Sequence, residues 1–205
     1  MTGKNDTTPG TAARTMAGAI ALIALANLGL QTTIGTGSLL ENAAGLLRFF
    51  TIWSNCAAAL LMGAIAAGKT VPRAVMAALA TALSVVGLVY WMLLAVDHHP
   101  VGLDVLTNQI FHTFVPAATF AWWLKYTPRA PHIIPLLPVI MVPPLSYGAF
   151  AFVLGEATGF YAYFFLDLPE LGWAMFLANN VGLALFFALV GTVLLAFKNL
   201  VNRFI

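Results

Sequence analysis

The sequence predicts an all-α integral membrane protein, a single domain over residues 1–205 built as a six-transmembrane-helix bundle, and three observations carry that reading. The chain is 61% hydrophobic and 8% charged with a mean hydropathy of +0.92, whereas soluble domains carry about 25% charge. It divides into apolar runs of about 20 residues, the length a helix needs to cross a bilayer. Its basic and acidic residues also sort to opposite ends of those runs. A surface matched to lipid excludes a soluble enzyme and a nucleic-acid reader, and the formal charge of +2 agrees. Cys56 is the single cysteine, so no intramolecular disulfide can form, and no Cys/His spacing suggests a metal site.

The runs place helices near 15–34, 49–68, 74–96, 107–124, 133–154 and 173–197. The first follows a polar opening, Met1 to Arg14; it is too long for a signal-peptide core and lacks a small-x-small site, so it reads as an uncleaved span. The second begins after Arg48 and ends before Lys69. The third carries Tyr90 and Trp91 near one end, and the fourth Trp122, Trp123 and Tyr126 near the other, where amphipathic rings suit the membrane interface. The fifth holds Pro135, Pro138, Pro143 and Pro144; each lacks a backbone donor, which predicts a kinked or partly unwound helix beside a cavity, or else a kinked packing helix. The sixth completes a bundle of antiparallel neighbours with short turns and no internal repeat.

If the spans alternate, the N-terminus, the second and fourth turns and the C-terminus share one side. That side holds Lys4, Arg14, Lys69, Arg73, Lys125, Arg129, Lys198 and Arg203, eight of the nine basic residues. The other side holds Arg48 with Glu41, Asp97, Asp104, Glu156, Asp167 and Glu170, six of the seven acids. The positive-inside bias therefore predicts cytoplasmic N- and C-termini. Short loops and Ala-rich helices suit a bacterial inner membrane.

No acid or base falls well inside a span, which disfavours an ion pump or a proton-coupled transporter. The buried polar inventory is uncharged: Asn27 and Gln31; Thr51, Ser54 and Asn55; Asn108, Gln109, His112 and Thr113; Ser146 and Tyr147; Asn179 and Asn180. At 1.5 Å rise per residue most of these fall in the outer half of the bilayer. Such groups are costly in hydrocarbon without partners, so helices contributing them at one depth suggest a shared interior site; interhelical hydrogen-bond glue is the alternative for any one of them.

His112 is the only histidine inside a span. Asn108 precedes it by four residues on the same helix face, and Thr51 and Asn55 repeat that arrangement on the second helix. Both helices run from outside to inside, which puts Thr51 and His112 at comparable depth. A threonine hydroxyl needs a base to become a nucleophile, and a neutral imidazole can serve. Asn55, Asn108, Asn179 or Asn180 could donate to a developing oxyanion, and spacing does not select among them. Ser54, Thr113, Ser146 and Tyr147 are further polar candidates.

The blocks "RFFTIWSNCAAALL", "DVLTNQIFHTFVPAATFAWWL", "PPLSYGAF" and "GFYAYFFLDLPELGW", in that order, resemble the androgen-induced protein and androgen-dependent TFPI-regulating protein family in its bacterial six-helix branch. The resemblance rests on an aromatic-Thr-x-x-Ser-Asn start to the second helix, a His-Thr-x-x-Pro core in the fourth, and a Tyr-x-x-x-Phe-Leu-Asp loop before the sixth. The last block departs from the family's usual Tyr-Pro-x-Leu-Asp-like turn, with Ala162, Tyr163 and Phe164 and no proline. The resemblance implies an intramembrane threonine hydrolase that cleaves fatty acid esters of hydroxy fatty acids. Thr51 matches the family's threonine and His112 its histidine.

The expected mechanism is a Thr51 nucleophile with His112 as general base and an acyl-threonine intermediate, with no metal and no cofactor. A lipid ester would enter from the outer leaflet and lie along apolar walls to which Phe50, Trp53, Phe111, Phe114, Trp122 and Phe176 contribute. Asp97, Asp104 and Asp167 are boundary acids that could orient His112 or stand in solvent. The alternative is a small multispan lipid-binding protein or transporter without catalysis, which would need access from both sides. A haem or metal protein lacks ligands here.

Overall fold

A computed structural model describes residues 9–201, all of its regular structure helical; Lys4 and Arg203, counted in the charge sorting, lie outside the described residues. The elements are α1 (Thr11–Ile34), α2 (Leu39–Leu46), α3 (Phe50–Ala66), α4 (Arg73–Val89, continued by a π-turn Tyr90–Leu94), α5 (Leu103–Gln109, continued by a π-turn Ile110–Phe114), α6 (Val115–Tyr126), α7 (Leu137–Thr158, preceded by a 3-10 turn Ile134–Leu136) and α8 (Leu168–Val201). Among the described residues four helices are long and apolar enough to cross a membrane: α1, α4 with its π-turn, α7 with its 3-10 turn, and α8. The bent pair α2 and α3 makes a fifth. The run from α5 through α6 is continuous but is diluted by Asp104, Asn108, Gln109, His112 and Lys125.

Small residues set the tightest pairing. Ala13, Ala17, Ala21 and Ala24 line one face of α1 and pack against Ala58, Met62 and Ile65 of α3. A Cβ at Gly18 would stand 3.4 Å from Ala66 Cβ, so the backbones approach closely, the usual basis of helix association in lipid. α4 lies at the centre, in contact with α3, α6, α7 and α8, and its face from Met76 to Val86 is almost wholly buried. A second apolar cluster joins Phe50, Val85, Val86, Tyr147, Leu166 and Phe187 at the level of the α3 N-terminus. The far end is tied by Lys198, which donates to the Trp123 and Leu124 carbonyls at 2.7 and 3.0 Å, and by Arg14, whose Nε donates to Ala66 O.

Two features differ from the sequence reading. A short helix, α2, precedes the second span at an angle of 100° to α3. It starts with a capping box in which Ser38 receives the Glu41 N–H while the Glu41 carboxylate accepts from Ser38. Those bonds hold the Glu41 carboxyl below its usual value. The fifth helix is also not unwound: α7 runs helically through Pro143 and Pro144. Pro138 falls in the first turn, where no donor is needed, and the Ser146 hydroxyl donates to Pro143 O at 3.0 Å. Proline thus costs α7 hydrogen bonds without breaking it.

Candidate functional site

Thr51 is the second residue of α3. Amides in the first turn of a helix have no intrahelical acceptor and carry the positive end of the helix dipole. The Phe50 N–H is taken by the Tyr163 hydroxyl at 3.1 Å, and the Thr51 amide and side chain lie beside the same hydroxyl. Tyr163 reaches this position from the loop between α7 and α8, where its ring stacks on Phe165 at 5.1 Å and meets Phe49 and Tyr147 edge-on. Its oxygen accepts from Phe50, and the Thr51 and Tyr147 hydroxyls lie beside it; no well-formed hydrogen bond donated by Tyr163 is present among the described residues. Burial pushes the Tyr163 phenol up, which keeps its proton in place.

His112 sits in the π-turn between α5 and α6. Pro116, four residues on, has no N–H to offer the His112 carbonyl, and that carbonyl faces Gly87 of α4, where a Cβ would stand 3.0 Å from it. The widened turn, of a kind that recurs at functional sites, lets the imidazole fold back on its own helix. His112 Nδ1 lies 3.1 Å from Asn108 O, which can only accept, so Nδ1 carries the proton and Nε2 presents its lone pair. Nε2 is 3.3 Å from Thr51 Oγ1. The pair singled out from depth along two helices is therefore in contact.

The imidazole stacks on Tyr90, with centroids 3.9 Å apart and planes inclined by 19°. Tyr90 is held in turn: its hydroxyl accepts from Asn108 Nδ2 at 2.6 Å and shares a hydrogen bond with His98 Nδ1 at 3.1 Å. His98 Nε2 lies 3.9 Å from Asp104, whose carboxylate accepts from Gln31 Nε2 at 3.0 Å. Tyr90, read from sequence as an interfacial anchor, is only 4% exposed and belongs to the site. Asn55 binds the two catalytic candidates' helices together, since its Nδ2 donates to Thr51 O at 2.8 Å and to Phe111 O at 3.3 Å.

Two cavities meet at Thr51. A vestibule of about 410 Å³ is lined by Gln31, Phe49, Tyr90, His98, Asp104, Asn108, Phe111 and His112, with Thr51 and Tyr163. An apolar cavity of about 210 Å³ lies on the far side of Thr51, between α3, α4, α7 and α8, and Tyr90 and Tyr163 line it too. Phe50 also faces the apolar cavity, and Phe111 faces the vestibule.

The remaining sequence candidates are engaged elsewhere. Asn55 spends both amide hydrogens on backbone carbonyls, and Asn108 directs its amide at the Tyr90 hydroxyl rather than at Thr51. Asn179 Nδ2 holds the preceding loop through Phe165 O, and Asn180 Nδ2 donates to Phe176 O within its own helix, although Asn180 lines the apolar cavity. Tyr147 lines it as well and donates its proton to Arg48 O at 2.8 Å. Ser54 is buried without a protein partner among the described residues. Trp53 donates to Leu47 O, Phe176 packs with Phe152 and Trp173, and Phe114 is 47% exposed on the outer surface; none of these three lines either cavity. Trp122 binds Ala13 O elsewhere in the bundle. Asp104 borders the vestibule without touching His112, and Asp167 caps α8 by accepting from Glu170 N.

Tyr163 is the residue that sequence reasoning passed over. It lies in a loop block noted only for its missing proline, and its proximity to Thr51 depends on how that loop folds back. Comparison of the chain with protein-family models, with curated proteins and with solved structures finds no match.

Proposed function

We propose that this protein is an intramembrane hydrolase of lipid esters that works through an acyl-threonine. The observation that carries the reading is the 3.3 Å contact between Thr51 Oγ1 and a His112 ring nitrogen whose partner nitrogen is committed to a backbone carbonyl. That is the nucleophile, base and orienting group of acyl-transfer chemistry. Its setting at a helix N-terminus, beside a tyrosine hydroxyl, supplies electrostatic stabilisation where negative charge develops.

In the proposed reaction His112 Nε2 takes the Thr51 hydroxyl proton as Oγ1 bonds to the ester carbonyl carbon, and the carbonyl π pair moves to the oxygen. Tyr163 and the first-turn amide of Thr51 stabilise that oxyanion. Collapse breaks the ester C–O bond, and the departing alkoxide takes the proton from His112. Water then gives a proton to His112 and attacks the acyl-threonine; the fatty acid leaves and Thr51 regains its proton. The family resemblance favours fatty acid esters of hydroxy fatty acids as substrates.

The same reading counts six passes, with α2 lying at the outer interface and α5 and α6 forming one pass. Charge sorting supports cytoplasmic termini, helical rise then puts the site in the outer leaflet half, and short loops with Ala-rich helices favour a bacterial inner membrane.

The test is phosphonylation of the purified protein by a fluorophosphonate, in which the nucleophile's oxygen bonds to phosphorus and fluoride leaves, followed by intact mass. Wild type should gain one adduct, Thr51→Ala none, and His112→Ala should react far more slowly. Folded wild type that stays unlabelled, or Thr51→Ala that labels equally well, refutes the hydrolase and turns attention to lipid binding or transport.

A further inference from the structure

We infer that the apolar cavity is a binding site for a single alkyl chain, and that the chain enters it sideways from the bilayer through a window between α7 and α8. The inference rests on the hydrolase reading only in assigning the chain to the acyl arm of an ester.

The two helices touch through large side chains at both ends of this interface, and small residues face the cavity between. Towards the outer end Phe152 of α7 meets Trp173 and Phe176 of α8, with ring centroids 6.0 and 5.8 Å apart. Towards the inner end Ile140 packs on Gly191, where a Cβ would stand 3.0 Å from its side chain. Between these closures the facing residues include Gly148 and Ala149 on α7 and Ala184 on α8, and all three line the cavity. Asn180 is the α8 side chain nearest Gly148, 3.7 Å from where a Cβ would stand, so no bulky apolar side chain covers the cavity at this level. Leu145 lines the cavity as well, yet is 60% exposed on the surface that would face lipid, so the cavity communicates with that surface.

The cavity's form suits one chain. From Asn180 to Phe187 its α8 wall rises about 10 Å, and buried Phe187 and Val86 stand at its inner end. Its polar groups gather mostly at the other end, around Thr51, Tyr90 and Tyr163. An alkyl chain lying in it would present a carbonyl at Thr51, with any polar remainder in the vestibule. Crossing through the window keeps the chain in hydrocarbon throughout, so no methylene need be exposed to water on entry.

The test uses the full-length protein in lipid nanodiscs and a palmitate carrying a terminal diazirine and an alkyne, with crosslinks mapped by mass spectrometry. In wild type and in Thr51→Ala the label should fall on the peptides holding Val86 and Phe187. Ala184→Trp, which fills the window, should lower that labelling at least about tenfold, the effect of losing burial of about two methylene groups. Leu189→Trp, on an exposed position of α8, should leave it unchanged. Gly148→Leu closes the window from the other wall and should repeat the loss, while Gly148→Ala, whose Cβ would make an ordinary 3.7 Å contact with Asn180, should not. Thermal melting of each variant confirms folding. Labelling spread evenly over lipid-facing helices, or undiminished in both folded window variants, overturns the inference. A wild type that binds the palmitate at the cavity floor but never reacts with a fluorophosphonate would retain the chain site and refute the hydrolase.

Discussion

Replacing Tyr163 by phenylalanine separates the chemical role of its hydroxyl from its structural one. The substitution keeps the ring that stacks on Phe165 and removes only the oxygen. Two losses follow. The Phe50 N–H, on a residue 9% exposed, loses its acceptor, and an unsatisfied buried donor costs about 1–3 kcal/mol. At about 2–4 °C per kcal/mol for a chain of this size, the melting temperature should fall by several degrees with the fold intact. The proton that the proposed mechanism offers to the oxyanion is lost as well, and removal of one such donor lowers the rate by about 10²–10³-fold, or about 2.7–4 kcal/mol. The assay is the rate of adduct formation with a fluorophosphonate, read by intact mass well below the melting transition. Tyr147→Phe is the matched control: its hydroxyl also borders the apolar cavity, but its proton goes to Arg48 O. It should melt earlier and react at close to the wild-type rate. If Tyr163→Phe reacts within about twofold of wild type, far short of the loss of an oxyanion donor, the assignment of Tyr163 is wrong.

Gly87→Val should impair the site from behind. A Cβ at that position already meets the His112 carbonyl at 3.0 Å, so α4 must move away from the π-turn that carries the imidazole; overpacking of this kind costs about 1–3 kcal/mol. The 3.3 Å Thr51–His112 contact lengthens or misaligns, and the rate of adduct formation with a fluorophosphonate should fall in protein that still folds; an unchanged rate would show that the close approach does not position His112. At alkaline pH Tyr163 gives a second readout. Its phenol is raised above the ordinary value of about 10, so as pH climbs past that value the unfolded chain ionises first. The stability associated with the neutral phenol is therefore complete below about pH 10 and declines as pH rises towards the folded value. Tyrosinate absorbance of the folded protein at about pH 10 should be the same in wild type and Tyr163→Phe, and a smaller signal in the variant would contradict the shielding of this group.

What could be read without coordinates was whatever depends on composition and on position along one helix. Apolar run lengths marked out the helices because the bilayer imposes a length. Thr51 and His112 could be set at one depth because rise per residue is constant. The capping box at Ser38 and Glu41 was equally local, and α2 was legible there even though the apolar runs drew attention past it. Prolines were a weaker guide: their loss of donors is certain, but whether a helix breaks depends on what surrounds it, and α7 stays helical.

Only the tertiary structure decided which polar groups remain free for chemistry. Asn108 and Asn179 were indistinguishable as donors in the sequence, and the amide of each is turned to a partner from another part of the chain, as is the Tyr147 hydroxyl. Tyr90 and Tyr163 carried no helical periodicity that pointed at Thr51; they reach the site through a π-turn and a folded-back loop. A hydrogen bond consumes a donor wherever its acceptor lies, and acceptors dozens of residues away come into range only when the helices pack. Composition and local pattern therefore determined the helices and set Thr51 and His112 at one depth, while packing determined their 3.3 Å contact, the carbonyl partner of His112 Nδ1, the approach of Tyr163 to the start of α3 and the apolar cavity beside Thr51.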